Sequence, residues 1–137
     1  MGGAFAAAAA VAAFAMGGPC KMALVVRTDL GMSKGKMCAQ CAHAAVAAYR
    51  AAVAGTRQQR AALAVWEATG ETKIALRASS ADELNALFGA SRRAGLVAVV
   101  VRDAGHTQVE AGSITVLAIG PAAVTDVDKI AGKLQLL

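Results

Sequence analysis

The sequence predicts an α/β fold, a four-stranded mixed β-sheet with α-helices on both faces. Three observations carry this. Two short apolar runs, Met22 to Val26 and Leu96 to Val101, have the composition of buried strands. Amphipathic segments of helical period fill the intervals between strands. Only a short polar stretch separates the third and fourth strands, which permits an antiparallel pair, whereas helical crossovers earlier in the chain imply parallel ones.

Taken in order, Lys21 to Thr28 reads as the first strand. Gly31 and Gly35 loosen a tight turn after it, and Ser33 is placed to cap a helix from Lys34 to Val53. Lys36, Gln40, His43 and Arg50 form that helix's polar stripe; Met37, Cys41, Ala44, Ala45 and Ala48 form a packing side small enough for a sheet to approach closely. Gly55 ends it. A second helix, Thr56 to Ala68, turns Arg57 and Arg60 outward and Leu63 and Trp66 inward, with Trp66 as a core anchor. After Gly70, Lys73 to Arg77 alternates apolar and basic residues as a half-exposed strand does. Ser80 with Glu83 makes a capping box for a helix bearing Leu84, Leu87 and Phe88, closed by Arg92, Arg93 and Gly95. The buried strand Leu96 to Val101 leads to a polar loop, Asp103 to Thr107. A fourth strand, Gly112 to Ile119, is ended by Gly120-Pro121, and a short helix from Val124 to Ile130 precedes a Lys133 to Leu137 tail.

With 137 residues the chain holds one domain and one core, over residues 21–137. Aromatic residues make up 4%, so Val, Leu, Ile and Ala build the core. A formal charge of +5 is a moderate bias toward polyanions, well short of a histone-like one. Three cysteines, an odd number, speak against a disulfide framework and for a reducing compartment. Residues 1–20 form an uncharged, alanine-rich extension. Its apolar run, Ala4 to Met16, would span roughly 20 Å as a helix, short of the ~30 Å hydrocarbon core. No Lys or Arg precedes it, so a secretory or mitochondrial presequence has poor support. The extension is read as a flexible or loosely helical tail, with a weak membrane anchor or targeting segment as the alternative.

The stretch Arg27 to His43, RTDLGMSKGKMCAQCAH, concentrates the chemistry. It places an amine, an amide and an imidazole (Lys36, Gln40, His43) on one helix face beside the end of a strand, where open α/β folds tend to bind ligands. GMSKGK is not a phosphate loop, because three residues rather than four separate its glycines and Met37 follows Lys36. Cys38-x-x-Cys41 has no second CxxC to complete a metal site and is read as two small apolar residues on the packed side. Lys34 and Lys36 in a first helical turn oppose the helix dipole, which hints at an anionic partner.

The segments KMALVVRTDLGMSKGKMCAQCAHAA, KIAL, DAGHTQVEAGSITVLAIGP and DKIAGKLQLL resemble, in order and spacing, the type 2 peptidyl-tRNA hydrolases. The resemblance covers Lys21 to Leu137. It implies hydrolysis of the ester joining a peptide to the terminal ribose of tRNA, a mixed-sheet α/β fold that is often dimeric, and no metal or organic cofactor. It carries functional roles onto Lys36, Gln40, His43, Asp103, Thr107 and Thr115, and matches Lys34 to a second lysine of the turn. Three positions depart from the pattern: Gly31 stands where many members carry lysine, His106 fills a variable position, and Ala131 replaces a common threonine. None removes a catalytic group.

Hydrolysis of such an ester needs a group that orients water, a cation or donors for the tetrahedral oxyanion, and positive charge to hold RNA. Asp103 is the water-orienting candidate, by positioning or by proton abstraction; a lysine beside it makes it the weaker base. Lys36 would stabilise the oxyanion. Thr107 and Thr115 supply hydroxyls; Thr107 as nucleophile lacks an activating base. His43 is either a general base or a histidine bonded to backbone or threonine behind the site. Lys34, Lys36, Arg27, Arg57, Arg60 and Arg92 are the candidate phosphate contacts, and scarce aromatics argue against base stacking. The competing reading is a non-catalytic interaction protein on the same fold, tethered to a membrane by residues 1–20. The expected location is the cytoplasm, with the mitochondrial outer membrane as the alternative.

Overall fold

The computed structural model describes residues 18–105 and 109–137. The expectations for the apolar run before residue 18, and for His106 and Thr107, therefore lie outside the described residues. Eight elements follow one another: β1 (Cys20–Arg27), α1 (Lys34–Val53), α2 (Arg57–Ala68), β2 (Lys73–Ala78), α3 (Ala81–Arg93), β3 (Ala98–Arg102), β4 (Ile114–Ala123) and α4 (Val124–Ala131). The strands form one four-stranded sheet in the order β2-β1-β4-β3. β1 and β2 are parallel, and β4 runs antiparallel to both β1 and β3. The carboxyl ends of β1, β2 and β3 thus share one sheet edge with the amino end of β4.

Strand alternation divides the core between two faces. Met22, Leu24 and Val26 of β1 point to the α1/α2 side, where they meet Ala44, Ala48, Leu63 and Trp66. Ala23 and Val25 point the other way, toward Leu84 of α3 and Val127 of α4. The alanines of α1 at Ala44, Ala48 and Ala52 are fully buried, and their small side chains let the helix lie close on the sheet. Trp66 is buried as expected and donates its indole N–H to the Thr72 carbonyl at 2.8 Å. Side-chain caps fix the helix starts: Ser33, Thr56 and Ser80 each accept a backbone N–H three residues on.

The structure corrects the sequence reading in two places here. β4 does not stop at Gly120-Pro121 but runs through it to Ala123. The pairing shifts between Lys21 and Ala23, so that two residues of β4 sit against one of β1. Proline, which has no N–H to give a ladder, is accommodated at such a bulge. Gly120 adopts φ 98°, and a side chain there would meet the Lys21 carbonyl oxygen at 2.6 Å. The second correction concerns Cys38, expected on the packed side of α1 but exposed; Cys41 alone of the pair packs against the core.

Candidate active site

Lys36 sits in the first turn of α1, its backbone N–H held by the Ser33 hydroxyl at 3.2 Å. Asp103 is the residue that follows β3. Two backbone bonds pin it, Asp103 N–H to the Ser113 carbonyl at 2.9 Å and Gly112 N–H to the Asp103 carbonyl at 2.8 Å. Its Oδ2 accepts the Gly105 N–H at 2.7 Å. Gly105 is required there, since it adopts φ 80° and a Cβ would lie 2.6 Å from the Ala111 side chain. The Lys36 ammonium pairs directly with Asp103 Oδ1. These two groups, 67 positions apart in the chain, are brought together by the crossover that carries β1 into α1 over the sheet.

The Asp103 side chain is 1% exposed and that of Lys36 is 14% exposed. A carboxylate so withdrawn from water needs compensation, and it finds a cation on one oxygen and a backbone donor on the other. One turn along α1, Gln40, expected on the helix's polar stripe, is buried. Its side-chain amide donates to the Thr115 hydroxyl at 2.9 Å, and Thr115, wholly buried in β4, reaches the Val101 carbonyl of β3 at 3.4 Å. Gln40 thereby ties the helix to both strands that carry the site.

Above these groups lies a cleft of about 700 Å³. Lys36, Gln40 and Asp103 line its inner end; His43, Val46, Ala47 and Arg50 of α1 form one wall, and Val101, Arg102 and Ala104 the other. His43 is exposed and stands seven residues, roughly 10 Å, along the helix axis from Lys36. Arg50 and Arg102 are cations of the cleft that were absent from the expected phosphate contacts. Arg50 shares the helical stripe of Lys36 and was findable by its spacing; Arg102 adjoins Asp103, where no periodicity marks it.

The structure separates the remaining candidates. Lys34 is exposed in the first turn of α1, at the cleft's edge of the sheet. Arg27 ends β1 at the same edge, but its guanidinium is engaged, through Nε at 3.0 Å and Nη2 at 2.6 Å with Asp29 and through Nη1 at 3.1 Å with the Ile114 carbonyl. The hydrogen bonds of that pair hold the Asp29 carboxyl below its ordinary value and raise the guanidinium. Arg57, Arg60 and Arg92 gather at the opposite edge: Arg60 donates to the Gly55 carbonyl, and Arg92 shares a hollow with Gly55, Thr56 and Gly95. The length of β3, roughly 13 Å, separates that edge from Asp103.

The peptidyl-tRNA hydrolase PTH2 family model matches residues 20–137. A "probable peptidyl-tRNA hydrolase 2" of Drosophila melanogaster is 51% identical over 117 residues, covering 85% of this chain and 61% of the relative. A human "peptidyl-tRNA hydrolase 2, mitochondrial" is 44% identical over 119 residues, covering 87% of this chain and 65% of the relative. A "peptidyl-tRNA hydrolase" of Methanocaldococcus jannaschii is 43% identical over 117 residues, 85% of this chain and 99% of the relative. The chain thus spans about three fifths of the length of its fly and human relatives and the whole of the archaeal one. With the match running from the first residue of β1 to the last of the chain, through every segment that builds the cleft, this chain belongs to the peptidyl-tRNA hydrolase PTH2 family.

Proposed function

We propose that this chain hydrolyses the ester bond between a peptide and the 3′-terminal ribose of tRNA, releasing tRNA from prematurely freed peptidyl-tRNA. The observation that carries the proposal is the contact between Lys36 and Asp103 at the inner end of the cleft. In this reading the ester carbonyl sits beside the Lys36 ammonium. Asp103 orients a water through its carboxylate, the water oxygen bonds to the carbonyl carbon, and the tetrahedral oxyanion is stabilised by Lys36 and by the positive end of α1. The carbon–ribose-oxygen bond then breaks; the departing ribose oxygen takes the proton that the attacking water gives up, and the peptide leaves as a carboxylic acid.

Pairing with a cation makes Asp103 a weaker base, so positioning of the water is its principal task. Gln40 and Thr115 hold α1 against β4 and keep Lys36 at its station. Thr107, four positions after Asp103 in the sequence, is retained as a candidate hydroxyl. His43, two helical turns from Lys36, suits contact with substrate in the cleft better than proton transfer at Asp103. Phosphates of the tRNA are met by Lys34, with Arg102 and Arg50 added from the cleft walls; Arg57, Arg60 and Arg92 fall outside one continuous footprint with the site.

Residues 21–137 form the hydrolase domain in this reading, with residues 1–20 as an extension, a cytoplasmic location, and a homodimer as a possible assembly. The mitochondrial alternative draws support from the names of the mouse and human relatives. No helix among the described residues is long and apolar enough to cross a membrane. The test is release of peptide from purified peptidyl-tRNA. Release abolished by Lys36→Ala and by Asp103→Ala, in proteins that remain folded, is the expected result. Unchanged release in both variants overturns the site; retention of tRNA without turnover in the parent protein overturns the hydrolase.

A further inference from the structure

The two edges of the sheet differ. The outer edge of β2 is paired: Arg77 N–H donates to the Gln135 carbonyl at 2.9 Å, Leu137 N–H to the Ala75 carbonyl at 3.0 Å, and Leu76 bridges Leu136. Among the described residues, no backbone group pairs with the outer edge of β3. On the inner side Gly120 N–H donates to the Val97 carbonyl at 2.8 Å. Antiparallel pairs alternate in bonding, so Val97, Val99 and Val101 turn their backbone groups to β4. Ala98 and Val100 therefore direct both N–H and C=O away from the sheet.

This open edge borders a groove on the α1 side of the sheet, which Ala98 helps to line. The cleft that holds Lys36 and Asp103 is followed, along the same two elements, by a second hollow of about 600 Å³ at the Gly95 end. Ala47, Ala51 and Ala54 of α1 stand on one side and Val99 and Val101 of β3 on the other. From Ala98 to Asp103 the edge is roughly 17 Å long, room for about five extended residues.

Resting on the hydrolase reading, we infer that the peptide of the substrate lies in this groove as an added strand along β3. Its ester end sits at Lys36 and Asp103, and its amino end runs toward Gly95, which makes the added strand parallel to β3. Strand addition draws affinity from main-chain bonds shared by every peptide, the recognition a hydrolase indifferent to sequence requires. RNA phosphates fit this edge less well. They only accept hydrogen bonds, and so leave the outward carbonyls of Ala98 and Val100 without donors.

The full-length protein is given N-acetylated oligoalanyl-tRNAs carrying one to six residues. The expected result is a kcat/KM that rises roughly tenfold up to about five residues and then levels, the gain one or two net hydrogen bonds supply. Single N-methylation of the peptide amides should lower it several-fold at alternate positions and leave the intervening ones unaffected. A kcat/KM independent of length, or N-methyl effects without alternation, overturns the inference while turnover of N-acetylalanyl-tRNA keeps the hydrolase reading. Amide shifts give a readout free of turnover: N-acetyl-pentaalanine should move the Ala98 and Val100 signals, and the trinucleotide CCA should not. Movement by the trinucleotide, or by raising protein concentration alone, assigns the edge to RNA or to a second copy and overturns it. Peptide-induced movement without turnover of any substrate overturns the hydrolase reading alone.

Discussion

Replacing Lys36 by methionine separates the chemical role of the buried pair from its structural one. The Asp103 side chain, 1% exposed, would keep the Gly105 N–H on Oδ2 but lose its cation on Oδ1. Breaking a buried pair by removing one partner costs about 3–5 kcal/mol. The low end applies here, because one donor stays and Lys36 is itself 14% exposed. About 3 kcal/mol is a large share of a domain's stability and lowers Tm by roughly 10 °C. Adding Asp103→Asn to Lys36→Met removes the buried charge and keeps an acceptor for Gly105, so the double variant should regain about 2 kcal/mol while activity stays lost. In peptide release, each single variant should lose about 100- to 1,000-fold in kcat/KM, the scale of one oxyanion contact. The assay is urea unfolding of the wild type and three variants at a common m-value, alongside release kinetics. A Lys36→Met protein within 0.5 kcal/mol of wild type, or a double variant no more stable than it, would refute the claim that the carboxylate is desolvated and held by the lysine.

Four other expectations follow from the same geometry. Gln40→Leu leaves the buried Thr115 hydroxyl without its donor and should cost about 1–2 kcal/mol, most of which Gln40→Leu/Thr115→Val recovers because both polar ends are gone; denaturant unfolding reads both. Asp29→Asn should cost about 0.5 kcal/mol at pH 7, since its carboxylate is a third exposed and its pair correspondingly screened. The Asp29 carboxyl is depressed below its ordinary 3.8, so that contribution is complete above 3.8 and disappears as pH falls below it, which Tm measured from pH 7 to pH 2 will show. Iodoacetamide at pH 8 should modify exposed Cys38 first by mass mapping, because burial pushes the Cys20 and Cys41 thiols up and leaves less thiolate. Lys34→Ala should reduce the salt slope of tRNA affinity by about one, whereas Arg60→Ala, at the far edge and bound to Gly55, should leave it unchanged.

Element order and topology were legible because each element announces itself locally. The caps expected at Ser33 and Ser80 form and α1 spans Lys34–Val53 as its periodicity predicts, whereas the capping box falls on Thr56 and Gln59, and Glu83 accepts from Ser79 rather than Ser80. β4 shows where local rules end. Gly-Pro reads as a stop, yet a bulge opposite β1 absorbs the proline, and only the partner strand reveals it. The site divides along the same line. Lys36 and Asp103 were named from sequence and meet in the structure. Gln40 was placed on the polar stripe by its spacing from Lys36 and His43; its burial depends on Thr115, 75 positions away. The phosphate contacts were least legible, since periodicity tells which way a side chain leaves its helix but not to which edge of the sheet that helix end is carried. Arg57, Arg60 and Arg92 are cationic and outward as expected, and stand at the opposite edge from Asp103.

The first turn of α1 holds no acidic residue and carries two lysines, an arrangement that taken alone opposes the positive end of the helix. The compensating charge is delivered through tertiary structure. β3 ends one residue before Asp103, and the bonds of Asp103 to Ser113 and Gly112 stop the chain from turning away, so the carboxylate is set against the helix start. The negative group that most helices keep within their own first turn is here supplied from another segment. That substitution leaves the same positive helix end beside the cleft, able to receive a second anion while Asp103 remains in place. An ester whose carbonyl oxygen gains charge only in the transition state is such an anion, and a phosphate bound permanently is not, because the lysine it would need is already half satisfied. The electrostatics of the site therefore favour a transient negative charge over a resident one, which is the charge distribution that the proposed hydrolysis needs.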